Sequence, residues 1–132
     1  MKRKKKSKDN KRRYHRLGSV DLYETLLRLM TQKQLYLDKK CSREDLARAL
    51  LTNRTYVSRA LNARGMNFAQ FVNSFRAAHA IGLLARPDLA GVPLEDIAEM
   101  SGFSTADQMS RYVKKSAGMS ACALRKRFST KG

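Results

Sequence analysis

The strongest constraint on this chain is an internal repeat whose two copies are offset by 51 to 53 residues. The matches join apolar, Ser-Arg and glycine positions: Leu46-Ala47 with Ile97-Ala98, Val57-Ser58-Arg59 with Met109-Ser110-Arg111, and Gly65-Met66 with Gly118-Met119. The offset grows by one residue from each match to the next, which indicates loops of slightly different length. Two copies are too few for a solenoid, so the repeat predicts a duplicated supersecondary unit.

Nearly everything after residue 18 has the apolar spacing of α-helices. Polar capping residues and one proline indicate where helices start, and Gly65 and Gly118 indicate where two of them end. The predicted starts are Asp21 with Glu24, Ser42 with Asp45, Asn53, Asn67, Pro93, Ser104 with Asp107, and Ser120. The helix after Asn53 is predicted to reach about Ala63, and the helix after Asn67 about Arg86.

One face of each predicted helix carries the apolar side chains that we expect in the core. In the first half these are Leu22, Leu26, Leu29, Met30, Leu46, Ala47, Leu50, Val57, Ala60 and Leu61. In the long central helix they are Phe68, Phe71, Val72, Phe75 and Ala78. In the second half they are Leu94, Ile97, Ala98, Met109, Tyr112 and Val113, with Met100 as a further candidate.

Each repeat combines a helix, a turn of three or four residues and a second helix, which is the arrangement of a helix-turn-helix motif. The second helix of such a motif lies in the major groove of B-DNA, with its first residues against the base edges. In the first repeat, LARALLTNRTYVSRALNARG, that helix carries Arg54, Thr55, Ser58 and Arg59. Arginine can donate two hydrogen bonds to guanine, and Ser or Thr can serve several bases. Two such copies in a short basic chain favour DNA binding over a chance pattern.

These segments resemble the AraC-type (AraC/XylS) DNA-binding domain of bacterial transcription regulators. The resemblance rests on LARALLTNRTYVSRALNARGMNFAQFVNSFRAAHAIGLL and IAEMSGFSTADQMSRYVKKSAGMSACALRKRF, and it extends from about Leu22 to Phe128. It implies an all-α, seven-helix domain with two helix-turn-helix subdomains joined by a long linker helix. The expected boundaries are a basic disordered tail at 1–18, a first subdomain at 19–66, the linker helix at 67–86 and a second subdomain at 87–132.

The same resemblance implies which side chains meet DNA. By position, the residues of the first recognition helix are Arg54, Thr55, Tyr56, Ser58 and Arg59. Those of the second recognition helix are Thr105, Ala106, Asp107, Gln108, Ser110 and Arg111, followed by Lys114 and Lys115 as phosphate contacts. The two recognition helices are expected to enter successive major-groove segments on one face of the duplex, as in a sequence-specific transcription regulator.

The second repeat departs from the family's common residues. The family often has Phe where this chain has Met109 and Val113, Pro at Ala121 and Tyr at Leu124. Asp107 has two interpretations: it accepts a hydrogen bond from cytosine N4, or, as we favour, it caps its own helix. We therefore expect the first unit to carry most of the sequence preference.

The chain has 28 basic and 11 acidic residues, and its net charge of +17 indicates a polyanionic partner. Residues 1–16, MKRKKKSKDNKRRYHR, hold ten of the basic residues and one of the acids. This segment has too few apolar residues to bury itself, so we expect it to be disordered. It has three interpretations: a flexible clamp on DNA phosphates, which we favour, a segment beside a membrane span, or a solubilising run.

The sequence carries no signature of catalysis, and we expect neither an enzyme nor a bound cofactor. It contains no glycine-rich phosphate loop and no recognisable set of nucleophile, base and orienting acid. We interpret His79 as a partly buried, hydrogen-bonded residue, since no second ligand lies nearby at metal-binding spacing. Cys41 and Cys122 form no paired motif, which favours a reduced cytosolic protein without a disulfide or a zinc site.

The expected partner is double-stranded DNA, with RNA polymerase as a second candidate, and no small-molecule effector site is indicated. Some forty residues precede the first repeat, which is too few for the sensor domain that family members often carry. The chain is therefore either a bare DNA-binding module or part of a longer protein. We expect it in the cytoplasm at the nucleoid, with membrane tethering only in the second case. A basic structural RNA-binding protein is the alternative function, which explains the charge but not the repeat.

We expect deletion of residues 1–16 to make duplex binding less sensitive to salt, because each phosphate contact releases counterions. The measurement is the slope of log affinity against log salt concentration for the full chain and for the truncated chain. Each lost phosphate contact should reduce that slope by about 0.9. An unchanged slope would exclude the phosphate clamp.

Overall fold

The computed structural model describes residues 22–129, which form seven α-helices and no strand, so the expected all-α fold is confirmed. The helices are α1 (22–33), α2 (Arg43–Ala49), α3 (Arg54–Asn62), α4 (Phe68–Leu84), α5 (Leu94–Met100), α6 (Ala106–Ala117) and α7 (Ala121–Ser129). Two short 3₁₀ turns lie at Leu35–Leu37 and Pro87–Leu89. The predicted tail at 1–18 and the predicted cap at Asp21 lie outside the described residues.

The described chain divides into two compact units. The first comprises residues 22–35 and 40–71, and the second comprises residues 36–39 and 72–129. Within the first unit α2 packs against α3, and within the second unit α6 packs against both α5 and α7. Helix α4 begins in the first unit and continues in the second.

Side-chain caps fix the starts of several helices where the sequence predicted them, among them α2, α3 and α4. Ser42 and Asp45 form a reciprocal capping box on α2, in which each side chain accepts from the other residue's backbone N–H at 3.2 and 2.9 Å. The Asn53 side chain accepts from the third backbone N–H of α3 at 3.1 Å. At α4, Asn67 and Gln70 exchange the same pair of bonds at 2.8 and 2.9 Å. These bonds satisfy donors that a helix start otherwise leaves unpaired.

The predicted start of α6 at Ser104 with Asp107 is wrong by one residue. Thr105 is the N-cap, and its hydroxyl accepts from the backbone N–H of Gln108 at 3.1 Å. The longer Gln108 side chain reaches back past the cap, so that its Oε1 accepts from the Ser104 N–H at 3.1 Å. A hydroxyl cap reaches the residue three positions on, and that residue is Gln108 rather than Asp107. The interpretation of Asp107 as a helix cap is therefore also wrong, and its side chain is exposed.

The core of the first unit agrees with the helical pattern. Its predicted residues Leu22, Leu26, Met30, Leu46, Ala47, Leu50, Val57, Ala60, Leu61 and Phe71 are all buried. Leu29 and Phe68 are half-buried. Burial of a large aliphatic side chain contributes about 1.5–3 kcal/mol, so these faces are sufficient to fix the packing of α1, α2 and α3.

The core of the second unit contains more of α4 than the sequence pattern indicated. Val72, Ile97, Ala98, Met109 and Val113 are buried as expected, together with Ala77, Ala80, Leu83, Leu84, Phe103, Ala121 and Leu124. Phe75, Leu94 and Tyr112 are half-buried, while the predicted core residues Ala78 and Met100 are exposed. The stripe from Phe68 to Ala78 does not continue through α4, because the later turns of this helix bury a different face.

Arg76 is a buried cation that the helical pattern did not predict, and it anchors residues 36–38 to α4. Its guanidinium donates to the backbone carbonyl oxygens of Tyr36 at 2.6 Å and Asp38 at 2.8 Å, and to Asn73 Oδ1 at 3.1 Å. A buried charge is tolerated when its donors are satisfied in this way. Residues 36–39, which lie between α1 and α2 in sequence, thus belong to the second unit.

His79 has the environment that the sequence suggested. It is half-buried, its Nδ1 lies 3.2 Å from Ser101 Oγ, and its ring centroid lies 6.1 Å from that of Tyr36. Burial lowers the pKa of His79, so the neutral ring is favoured. The residue acts as a hydrogen-bonded part of the second unit's interior.

The repeat seen in the sequence is also a repeat of backbone conformation. The N–H of Thr52 donates to the carbonyl of Ala47 at 2.9 Å, and that of Phe103 donates to Ala98 at 2.9 Å. The residue before each donor is left-handed, with φ of +56° at Leu51 and +88° at Gly102. A β-carbon at Gly102 would collide with the Tyr36 carbonyl oxygen, whereas the Leu51 side chain is exposed. The left-handed backbone at Leu51 costs about 1–2 kcal/mol relative to a right-handed one.

We expect Leu51→Gly to raise the free energy of unfolding by about 0.5–1 kcal/mol, since it relieves the left-handed strain and removes little burial. Gly102→Ala should lower the same quantity by more than about 2 kcal/mol through strain and collision. Urea denaturation of both variants beside the parent chain measures the two changes. A loss of stability in Leu51→Gly would show that the exposed side chain contributes more than the strain costs.

Candidate nucleic-acid interface

Helix α3 buries its apolar side, and the five residues of the first repeat that the sequence predicts to contact DNA lie on its other side. Val57, Ala60 and Leu61 are buried, which sets the rotation of the helix. On the remaining surface, Arg54, Thr55 and Arg59 are exposed, and Tyr56 and Ser58 are half-buried. All five nominated side chains lie within the first two turns of α3, the part of a recognition helix that meets base edges.

The first turn of α2 supports this surface with two residues that the sequence reasoning missed. Arg43 Nη1 donates to Ser58 Oγ at 3.2 Å, and Arg54 Nη1 donates to Glu44 Oε1 at 3.2 Å. A backbone hydrogen bond at Glu44, followed by the bond from Arg54, lowers the pKa of this carboxyl group. Arg54 therefore has an anionic partner within the protein before any nucleic acid binds. Only the packing of α2 on α3 brings these residues together, and their separation in sequence gave no signal.

Arg59 and Tyr56 form a second local pair on α3. The guanidinium carbon of Arg59 lies 6.0 Å from the centroid of the Tyr56 ring. At an exposed site such a contact contributes about 0.5–1 kcal/mol, which is enough to bias the side chain without immobilising it. Arg59 remains exposed, and its guanidinium group carries five N–H donors.

Helix α6 presents the nominated residues of the second repeat in the same manner. Met109 and Val113 are buried and seat the helix. The exposed residues are Thr105, Asp107, Arg111, Lys114 and Lys115, and the half-buried ones are Ala106, Gln108 and Ser110. Gln108 and Arg111 line a shallow open groove with Tyr112 and Lys115. Half-buried Tyr112 stacks on Phe103 with a ring separation of 6.0 Å, which supports one wall of that groove.

The two repeats differ in their electrostatics. Between residues 22 and 71, excluding 36–39, the first unit holds eight basic and three acidic side chains. By contrast, a depression at the start of α6 is lined by Glu95, Glu99 and Asp107 together with Lys39. Lys39 and Glu99 form an exposed salt bridge of 3.2 Å, which contributes little to stability but removes one cation from this surface. Two of the three basic residues of α6, Lys114 and Lys115, lie in its last turn, and the third is Arg111.

Residues 22–129 contain neither a metal-binding cluster nor a membrane-spanning helix. In that part of the chain, no group of three or more His, Cys, Asp or Glu side chains is placed to hold a metal ion. No helix there has both the length and the apolar character needed to cross a bilayer. Cys41 is half-buried and Cys122 is exposed, and neither forms a disulfide bond.

Two helix-turn-helix units, each with a polar recognition helix facing outward, define a nucleic-acid-binding class of protein. A family model described as a helix-turn-helix domain matches residues 46–127, which is more than half of the chain. The chain belongs to the AraC-type family of helix-turn-helix domains, and it is a DNA-binding transcription regulator. The comparisons give no support to the alternative of a structural RNA-binding protein.

Solved structures with the same fold include bacterial regulators. A DNA-binding transcriptional dual regulator from Escherichia coli K-12 is 16% identical and superposes with a TM-score of 0.66, over 78% of this chain and 90% of its own. The C-terminal domain of AraT, a response regulator from Geobacillus stearothermophilus, is 23% identical with a TM-score of 0.58, over 77% of this chain and 84% of its own. At these identities the likeness establishes the fold alone. A search of curated proteins found no match.

A third solved structure has the same fold. The C-terminal domain of the two-component response regulator yesN from Fusobacterium nucleatum is 18% identical with a TM-score of 0.59. The alignment covers 80% of this chain and 98% of that domain. The described part of this chain therefore corresponds to a whole domain of that kind.

We expect Glu44→Gln to strengthen binding to duplexes of random sequence, because it removes a carboxylate beside the candidate surface and releases Arg54. If the released guanidinium gains a phosphate, the slope of log affinity against log salt should steepen by about 0.9. Filter binding or fluorescence anisotropy over a salt series measures both effects. Glu24→Gln is the matched control, since it makes the same charge change on an exposed position of α1. Equal effects of the two variants would show that net charge alone is responsible.

Proposed function

We propose that this regulator binds double-stranded DNA sequence-specifically and reads adjacent major-groove segments with α3 and α6. The observation that carries the proposal is the repeated turn, in which a left-handed residue and a 2.9 Å backbone bond precede both helices. Each turn is followed by a helix with a buried apolar side and a hydrogen-bonding outer side. That combination is what a recognition helix requires in the major groove.

The residues proposed to contact bases are the nominated ones on both helices. They are Arg54, Thr55, Tyr56, Ser58 and Arg59 on α3, and Thr105, Ala106, Asp107, Gln108, Ser110 and Arg111 on α6. Arginine matches the two acceptors of guanine, and an acidic side chain matches the N4 donor of cytosine. Because Asp107 does not cap α6, its exposed carboxylate is available for that second role.

Contacts with phosphates are proposed for Lys114 and Lys115, which are exposed in the last turn of α6. Such contacts orient a protein on the duplex and add affinity for any sequence. The basic segment at 1–16 is proposed to act as a further phosphate clamp. The proposed site of action is the cytoplasm at the nucleoid, and RNA polymerase is a proposed second partner.

The first unit is proposed to supply most of the sequence preference. Its recognition helix combines Arg54 and Arg59 within a unit whose charge is strongly positive. The start of α6, in contrast, carries Asp107 beside Glu95 and Glu99, and these carboxylates repel phosphates. Attraction to phosphates therefore holds α3 against DNA more strongly than the start of α6. A recognition helix must be held close to the bases in order to discriminate between them.

Arg59→Ala should reduce the ratio of specific to non-specific affinity more than Arg111→Ala does. A good bidentate arginine contact discriminates by about 1–3 kcal/mol, so the loss at Arg59 should be at least about fivefold. The binding site must first be obtained by selecting bound duplexes from a random pool. Competition with folded RNA then tests the partner class, and stronger competition by RNA than by random duplex would contradict the proposal. A larger loss of specificity at Arg111 would reverse the assigned roles of the two units.

A further inference from the structure

The side-chain amide of Gln108 has a defined polarity in this structure. The backbone N–H of Ser104 donates to Gln108 Oε1 at 3.1 Å. Because a backbone N–H can only donate, the atom that it meets is the amide oxygen, and Nε2 occupies the opposite end of the group. Gln108 also borders the open groove that it shares with Arg111. The end of the amide that is left for a ligand is therefore the donor.

Other polar side chains of the two recognition helices also use acceptor atoms in hydrogen bonds within the protein. The hydroxyl of Thr105 accepts from the Gln108 N–H at 3.1 Å, and that of Ser58 accepts from Arg43 at 3.2 Å. Each hydroxyl retains its own O–H as a donor. Arg59 and Arg111 can only donate. These five side chains thus offer mainly hydrogen-bond donors, and the acceptor-only exception among the nominated residues is Asp107.

This polarity distinguishes between bases in the major groove. The usual pairing of glutamine with adenine uses both ends of the amide, with the nitrogen donating to N7 and the oxygen accepting from N6. In this protein the oxygen of Gln108 is directed back at Ser104, so the second half of that pairing is not available. Guanine presents two neighbouring acceptors, N7 and O6, which a donor-only group can serve. Cytosine presents a donor and cannot pair with a second donor.

We propose that Gln108 reads a guanine, by donation from Nε2 to the N7 and O6 edge, and that it discriminates against adenine and cytosine. This rests on the proposed function, because it requires α6 to lie in the major groove. Ser104 is then a positioning residue, whose backbone N–H sets the polarity of the amide without meeting DNA. One base pair of the otherwise unassigned binding site is thereby specified in chemical terms.

The test is selection from a random duplex pool with the parent chain, Gln108→Ala and Gln108→Glu. The position that loses its preference in Gln108→Ala is the one that Gln108 reads, and the parent chain should prefer guanine there over adenine by about tenfold. Gln108→Glu keeps an oxygen for the Ser104 N–H and replaces the outward donor with an acceptor. The preferred base at that position should therefore change from guanine to cytosine.

Gln70→Glu is the matched control, since Gln70 Oε1 accepts from the Asn67 N–H at 2.9 Å in a similar bond from side chain to backbone at the start of α4. It makes the same chemical change outside both recognition helices and should leave every base preference unaltered. A second readout uses 7-deazaguanine at the assigned position. Loss of N7 should weaken binding of the parent chain several-fold and should not weaken binding of Gln108→Ala.

Selection of adenine at the assigned position, or of the same site by the parent chain and Gln108→Ala, would overturn this assignment. Either result would leave a sequence-specific regulator in place. If the parent chain enriches no duplex sequence at all, the proposed function fails and the reading of guanine by Gln108 fails with it.

Discussion

The orientation of each recognition helix depends on one backbone hydrogen bond. In each repeat the N–H after a left-handed residue donates to a carbonyl five positions back, from Thr52 to Ala47 and from Phe103 to Ala98. This bond ends the first helix and sets the direction in which the chain leaves it. The following helix then has a defined inner side, which is apolar in both repeats. The polar side chains on the outer side therefore have a defined direction only because the turn fixes the rotation of the helix.

The two turns place different residues in the left-handed conformation, Leu51 in one and Gly102 in the other. The difference follows from the packing around each residue. Gly102 faces the backbone of residues 36–37, which Arg76 holds in place through the Tyr36 carbonyl, so that no side chain fits there. Leu51 has its side chain in solvent and can occupy the left-handed conformation at an energetic cost. Packing around the turn, rather than the turn itself, therefore makes glycine necessary in one copy and dispensable in the other.

Local signals in the sequence predicted the helices and most of the core, but not the contacts between helices. Ser42 and Asn53 are caps as expected, because a cap depends on residues three positions apart. At α6 two adjacent hydroxyl residues competed for the same role, and the pattern could not tell that Thr105 would take it. The burial of Arg76 and the bond from Arg43 to Ser58 join residues 40 and 15 positions apart. Such contacts depend on tertiary packing, so residue spacing alone does not reveal them.

On the proposed function, the shared geometry of the two repeats supports two different kinds of recognition chemistry. Around α3, guanidinium groups predominate, and their attraction to phosphates acts on any DNA sequence. At the start of α6, phosphates repel the Asp107 carboxylate, which gains a hydrogen bond only where a base offers a donor. The outward amide nitrogen of Gln108 gains one only where a base offers an acceptor. A mismatched base there leaves a polar group unpaired, which costs more than a matched one gains. On the proposed function, discrimination at α6 comes mainly from rejecting wrong bases, and it adds to the larger sequence preference that is proposed for the first unit.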